Sequence, residues 1–496
     1  MPEFEIQVVL PTLVPAAYGL LLLLFTPALR DDRRWLWAVS LGGMALSGFF
    51  PAWLLFRAGA SGETAGLPGR PMVVMDPLSL WLDLLFALAG FLALLLVPAY
   101  LDRARAHRPE IYPLMLFAVA GMTILVATTN LAMIFLGLEV LSIPLYVMSG
   151  LTRERESSIE AAFKYFLLGA VAAAFLVYGI ALVYAATGHL DLVTVARGAG
   201  AILGQGGARA GLLLAGLGMI LVAFAFKVGA VPFHFWAPDV YQGAPTPVTA
   251  FMAVGTKAAA FGVLLRLLPG TAETAAGLAE HWLPVVAALA VATMVIGNLV
   301  ALVQVRVKRM LAWSSIAHAG YLLLALLAPL GIGVRNLLFY LVVYTFMTIG
   351  AFAVVALFQE EEGDDADHLD RFAGLWKRKP LLAIAMGIFM LSLTGIPPMG
   401  GFTGKYVIFV TALRTGHPVL AAVMGLAAVV GAAYYLRVIT TMFLREPTGE
   451  LPPGVRVTLA PGLVLAFTAL LTVVLGVAPG IVLGPLGKIA AGMIGP

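Results

Sequence analysis

The sequence predicts an all-α polytopic membrane protein of 14 transmembrane helices, with two inverted five-helix repeats (spans 4-8 and 9-13) and broken helices 7 and 12. Three observations predict it. Of 496 residues, 61% are hydrophobic and only 11% charged, a composition outside any soluble globular class. Apolar stretches of about 20 residues, the length that crosses roughly 30 Å of hydrocarbon, recur along the whole chain. The few charges inside those stretches also recur, at a nearly constant offset.

The spans fall at about 6-29, 35-56, 77-100, 111-128, 130-150, 160-186, 211-236, 245-268, 283-303, 310-328, 335-358, 380-413 (broken), 418-442 and 460-484. They group into N-terminal helices 1-3 (1-110), a first repeat (111-268), a second (283-442) and a C-terminal helix 14 (443-496). Lysines and arginines orient them. One set of alternate loops, with Arg103, Arg153, Arg306 and Lys379 among its members, holds seventeen, and the other, with the termini, holds seven. The richer set belongs inside, which puts both termini on the periplasmic side of a bacterial inner membrane. The net charge of +4 reflects those loops and does not point to nucleic acid. No cysteine is present, which excludes disulfides, iron-sulfur ligation and thiolate zinc sites in this chain. The first apolar run follows Glu3 and Glu5 without a basic region, so no cleavable signal peptide is expected.

Polar positions reveal the duplication. Glu139 in span 5 matches His318 in span 10, Lys227 matches Lys405, and Lys257 matches Arg437, at offsets of 179, 178 and 180 residues. Five spans is an odd number, so the second unit must enter the membrane from the opposite side, as inverted repeats do. Pro232, Pro238, Gly243, Pro245 and Pro247 interrupt the helical pattern after Lys227, and Gly395, Pro397, Pro398, Gly400 and Gly401 do so before Lys405. Such breaks free backbone groups that only a protein-lined or watered interior can satisfy.

Depth separates functional charges from snorkelling ones. Glu139 is the tenth residue of its span and Lys257 the thirteenth, each on the order of 15 Å from the nearer interface. A charge there costs roughly 2.5–3.5 kcal/mol on insertion scales, which makes an ion or proton path its default reading. Burial penalises the ammonium and a nearby carboxylate supports it, so moving the two apart switches a lysine between holding and releasing its proton. Lys227, Lys257 and Lys405, with Glu139 as partner, are the primary candidates, and water, His234 and His318 are candidate bridges. Lys164, near the start of span 6, either joins them or snorkels. His234 and His318 fit packing and hydrogen bonding as well as a relay, any one lysine fits a structural partner, and Glu139 fits an ion-pair anchor. Arg437 reads as structural, since guanidinium hardly deprotonates.

Two other segments carry no chemistry. The polar run 359 to 379, with His368 among acids, reads as a solvated or partner-contacting loop and not a metal site. The glycine-rich stretch 198 to 211 fits no nucleotide fingerprint and is expected to be a flexible external connection.

FLGLEVLSIPLYVMSG around Glu139, SIEAAFKYFLLGA around Lys164, FKVGAVPFHFWAPDVYQGAPTPVTAF, WSSIAHAGYLLL and SLTGIPPMGGFTGKYVIF resemble the antiporter-like membrane subunits of type I NADH-quinone oxidoreductase (respiratory complex I). The resemblance covers nearly the whole chain. It implies fourteen core helices, proton translocation driven from a separate redox arm, and hetero-oligomeric partnership with antiporter-like and small connecting membrane subunits. By motif, Glu139, Lys227, Lys257 and Lys405 resemble the family's glutamate and lysines of spans 5, 7, 8 and 12. Lysine at 405 and a chain stopping after span 14 distinguish it from sister types with glutamate there or a lateral helix. NADH, FMN, iron-sulfur clusters and quinone are implied in partner subunits, with no cofactor and no metal in this chain. Mrp-type cation/proton antiporter subunits share the core and are the nearest alternative; a structural spacer without transport is the second.

Overall fold

Backbone groups in hydrocarbon must pair within their own segment, and among the described residues the chain does so as helix, with no strand and two isolated bridges. The computed structural model describes residues 9–28, 32–61, 72–104, 106, 108–274, 276–358, 367–447, 455 and 457–494. In order, the helices are α1 (Leu10–Phe25), α2 (Arg33–Ser61), α3 (Pro77–Arg103), α4 (Ile111–Val126), α5 (Leu131–Ser149), α6 (Glu156–Thr187), α7 (Leu192–Gln205), α8 (Gly207–Val228), α9 (Trp236–Gly243) and α10 (Thr246–Thr274). There follow α11 (Ala276–Leu302), α12 (Val307–Ala325), α13 (Leu330–Leu357), α14 (Leu375–Arg378), α15 (Pro380–Thr394), α16 (Gly400–Arg414), α17 (Pro418–Leu444), α18 (Leu459–Val477) and α19 (Gly480–Ile494). Among the described residues, ten helices are long and apolar enough to cross a membrane.

Burial sorts them. The apolar windows of α10 and α13 are wholly covered, as befits helices hydrophobic all round, whereas that of α6 is only 28% buried and leaves Phe163, Phe166 and Val171 outward. Small residues let the helices approach. A Cβ on Gly121 of α4 would lie 2.2 Å from the Leu141 nitrogen of α5, and one on Gly297 of α11 would lie 2.7 Å from the Ala317 nitrogen of α12. The second contact lies 176 residues beyond the first at both ends. The two bridges, Asn130 with Asp191 and Arg306 with His368, stand in nearly the same relation.

Three expectations change. The glycine-rich stretch is largely helical: Asp191 caps α7 by accepting from the Thr194 N–H at 2.9 Å, and Val195, Ala196 and Ala199 are buried. Gly206, at φ 65°, then turns the chain into α8. The last apolar run, expected at 460-484, divides at Ala478 and Pro479 into α18 and α19, because proline cannot supply the next helical N–H. In the polar run 359 to 379, residues 359–366 lie outside the described residues, and the rest is part docked and part solvated: Asp370, Arg371, Trp376, Lys377 and Lys379 are exposed, while Asp367, Leu369 and Phe372 are buried. Asp367 is 5% exposed, accepts from the Val307 N–H at 2.9 Å and receives the Lys308 N–H on its side chain at 3.0 Å.

Candidate functional site

Two helix breaks place the lysines. Gly229, at φ 76°, ends α8 in the left-handed conformation, and the Gly229 and Ala230 amides bond back to Phe226 and Ala225 at 3.0 and 2.8 Å. Beyond it, the Val231 N–H donates to the Thr293 hydroxyl at 3.0 Å and the Trp236 indole to the Phe226 carbonyl at 2.8 Å, so the interruption is satisfied internally. Gly395, at φ 90°, ends α15 in the same way, with the Ile396 N–H bonded to Leu391 at 3.1 Å. Lys227 lies in the last turn before the first break, and Lys405 in α16 after the second.

Lys227 is 2% exposed and donates to the Ser142 hydroxyl of α5 at 2.8 Å. Its ammonium stands 5.6 and 6.0 Å from the ring centres of Tyr165 and Tyr146. Glu139 is one helical turn from Ser142 on α5, yet no ion pair joins it to Lys227 among the described residues. The glutamate is half-buried between the outward Leu136 and Ile143, and its buried Oε1 has no hydrogen-bond partner among the described residues. Lys227 and its carboxylate are thus neighbours across a serine, and the expected direct pairing is absent.

Lys257, at the centre of α10, donates to Ser315 of α12 at 2.6 Å, and the Tyr344 hydroxyl of α13 donates to the same oxygen at 2.8 Å. Ser315, His318 and Tyr321 follow at three-residue spacing on one face of α12. Buried His318 has its Nδ1 2.7 Å from the Tyr340 hydroxyl and its Nε2 3.2 Å from that of Tyr435, which also bonds Ser314. The Tyr321 ring centre is 5.5 Å from that of His318 and 5.1 Å from the Lys405 ammonium. Lys405 donates to the Leu393 and Thr394 carbonyls at 2.7 and 2.9 Å, the C-terminal end of α15 where a helix favours a cation.

α12 therefore brings Lys257, His318 and Lys405 into one polar cluster. Between Lys227 and Lys257 the contacts are aromatic instead: Tyr165 stacks on Trp236 at 4.6 Å, Trp236 meets Tyr241 at 6.1 Å, and the Tyr241 ring lies 5.9 Å from Lys257. His234 packs on Phe235 and Trp313, and among the described residues no hydrogen bond joins it to a lysine. Lys164 neither joins the buried row nor simply snorkels. It bonds Glu160 and, at 2.6 Å, Asp239 of α9, whose other oxygen takes Arg309 of α12 at 2.7 Å. Arg437 donates to the Leu302 and Gln304 carbonyls, a structural role. Sequence reasoning missed Ser142, Asp239, Tyr340, Tyr344 and Tyr435. Serines and tyrosines within apolar runs look like ordinary packing residues; only the WSSIAH spacing hinted at the α12 face.

Residues 128–431 match the family described as NADH:quinone oxidoreductase/Mrp antiporter, TM. NADH-quinone oxidoreductase subunit N of Chloroflexus aggregans is 44% identical over 97% of this chain and 96% of its own length. A chain of respiratory complex I from Thermus thermophilus, solved with bound aureothin, superposes with a TM-score of 0.79 at 36% identity, over 96% of this chain and 99% of that one. A chain of the Mrp complex of Dietzia sp. shares the fold alone, with a TM-score of 0.85 at 22% identity over 99% and 98% of the two chains. The chain belongs to the NADH:quinone oxidoreductase/Mrp antiporter transmembrane family, as an antiporter-like membrane subunit of NADH-quinone oxidoreductase of the subunit N type.

Proposed function

We propose that this chain is a proton-translocating membrane-arm subunit, driven by redox chemistry in other subunits, with Glu139, Lys227, Lys257 and Lys405 as its proton-carrying groups. The observation that carries the reading is the buried α12 face, which places Ser315, His318 and Tyr321 between two ammonium groups. A proton leaving Lys257 can pass through Ser315 to the His318–tyrosine cluster, and Lys405 is held at the far side by two carbonyls. Between Lys227 and Lys257 water must bridge, and the Tyr165 and Tyr241 hydroxyls, buried and without a hydrogen-bond partner among the described residues, are groups that would bind it. Lys164 acts at one mouth through Asp239, and His234 and His318 are secondary relays.

The topology belongs to this reading. Ten long spans, with α1, α4, α12 and the broken α15–α16 pair, make fourteen, and the 176-residue recurrence of the Gly121 contact supports two inverted halves, 111-268 and 283-442. Residues 1-110 and 443-496 flank them, and both termini face the outer side of a bacterial membrane. NADH, FMN, iron-sulfur clusters and quinone would be held by partner subunits.

The test is proton pumping by the assembled, reconstituted complex. Lys257→Ala is expected to remove most of this subunit's pumping, and Lys257→Arg to impair it, because a guanidinium keeps its proton. Full pumping by the alanine variant would refute the mechanism. Sodium exchange by an assembly that oxidises no NADH would assign the chain to the Mrp type instead.

A further inference from the structure

Four helix ends, the starts of α2, α4 and α18 and the end of α3, surround a cleft of about 810 Å³, within the range of small-ligand sites. These four are not the ends formed by the broken helices, and charged Asp32, Arg33, Arg34 and Asp102 gather at them, so the mouth is at headgroup level. Its rim carries two arginines and two aspartates, Arg33, Arg34, Asp32 and Asp102. Asp32 caps α2 by accepting the Trp35 N–H at 3.1 Å. Arg33 meets Asp102 at 3.3 Å with both side chains open to water, 40% and 73% exposed, so the pair yields readily to a ligand. Arg34 is exposed and makes no hydrogen bond or ion pair among the described residues.

Two further features define the shape of the occupant. The first turn of α18 opens into the cleft through Ala460 and Pro461; its N-cap Thr458 makes no side-chain capping bond, and since proline has no N–H and the Gly462 amide bonds Thr458, the Leu459 and Ala460 amides are the two left for an anion. Behind the rim the wall is apolar, with Trp37, Leu95, Pro98 and Ala99.

We propose that this cleft binds a zwitterionic aminophospholipid of the phosphatidylethanolamine type. The arginines and the α18 amides take the phosphodiester, Asp102 and Asp32 take the ammonium, and the apolar wall takes the start of an acyl chain. A lipid with an anionic headgroup would leave both carboxylates opposed, and free phosphate would leave the wall unused. The proposal needs only the membrane setting and stands or falls apart from proton transport.

Photo-crosslinking of the whole purified complex tests it. With p-benzoylphenylalanine at Ala99, delipidated complex is offered vesicles of phosphatidylethanolamine, phosphatidylglycerol or phosphatidylcholine, and the adduct is identified by mass spectrometry. The ethanolamine lipid should label at least about tenfold more than either other class, as a loss of one charged contact implies. Arg33→Ala with Arg34→Ala should abolish that labelling, Arg34→Lys should retain it, and Asp32→Asn with Asp102→Asn should erase the headgroup preference. Equal labelling by all three lipids, a preference for phosphatidylglycerol, displacement by excess inorganic phosphate, or labelling untouched by loss of the arginines would each overturn the assignment. Asp32, Arg34 and Asp102 are exposed and Arg33 and Ala99 half-buried, and intact assembly is checked on native gels.

Discussion

The breaks at Gly229 and Gly395 end their helices with the same backbone device, but the lysine that accompanies each is held differently. Lys227 rests on one serine hydroxyl and two aromatic faces, with a carboxylate a turn away that it does not touch. Lys405 is fastened to the carbonyl end of the half-helix it has been separated from, and a cluster of histidine and tyrosine hydroxyls stands next to it. The first arrangement lets a small shift of α5 bring Glu139 to Lys227 or remove it. The second lets the broken helix and its lysine move only together. Duplicated geometry has thus produced one loosely held and one tightly held ammonium.

The sharpest way to break the comparison is to add one carbon at each crossing. A Cβ on Gly401 would lie 1.9 Å from the Ser392 carbonyl oxygen, backbone against backbone with no side chain to give way. Gly401→Ala is expected to prevent stable assembly, read as loss of the subunit from the purified complex. A Cβ on Gly229 meets nothing closer than 3.9 Å, and its cost is the positive φ alone, about 1–2 kcal/mol. Gly229→Ala should therefore assemble, with a lowered thermal midpoint. Equal behaviour would mean that the two breaks are not packed differently.

Next in size are the lysines themselves. Lys227→Met and Lys405→Met should each cut this subunit's pumping to below about a tenth, since positioned proton-transfer groups contribute roughly 100-fold or more. They should differ in stability. Losing Lys405 strands two buried carbonyls, at about 1–3 kcal/mol, whereas losing Lys227 leaves Ser142 still bonded to Leu138. Thermal unfolding of the two variants gives the difference; a larger loss in Lys227→Met would reverse the assignment of loose and tight.

The tyrosines come third. Tyr435→Phe removes bonds to both Ser314 and His318, and pumping should slow by roughly tenfold, the kinetic equivalent of 1–1.5 kcal/mol. Tyr165→Phe removes a hydroxyl that has no partner among the described residues, where water can substitute, and about twofold or less is expected. Stopped-flow acidification of proteoliposomes reads both. A larger effect at Tyr165 would move the rigid part of the path to the first repeat.

Why the first of these residues and not the others were legible in the sequence follows from the physics of the bilayer. A lysine or glutamate in the middle of an apolar run costs enough to announce itself, as Glu139, Lys227, Lys257 and Lys405 did, and Pro–Gly clusters announce a broken helix. A tyrosine in hydrocarbon costs little and reads as core, so Tyr340, Tyr344 and Tyr435 carried no signal. Their partners lie 22, 29 and 117 residues away along the chain, a proximity that only helix packing creates. The glycine-rich stretch misled for the opposite reason: glycine's low propensity suggested a loop, but the Asp191 cap and a buried apolar edge outweigh it in α7.

The smallest effect concerns an ion pair outside both breaks. Asp76 caps α3 and accepts two hydrogen bonds of 2.8 Å from Arg266 near the end of α10, a bidentate tie between the N-terminal helices and the first repeat. Burial alone would raise the Asp76 carboxyl, but the Arg266 charge and bonds from Arg266 and Ser79 outweigh it and hold the group below the usual carboxylate range. The sign follows from linkage: the tie contributes fully above the unfolded value of about 3.9 and is lost progressively as pH falls from there through the lower folded value. Between pH 7 and 5 the thermal midpoint should owe nothing to Asp76 titration, and below pH 4 it should fall more steeply in the native chain than in Asp76→Asn. An equally steep fall in the asparagine variant would place the acid sensitivity elsewhere, and it would leave the loosely held first repeat as the region to search.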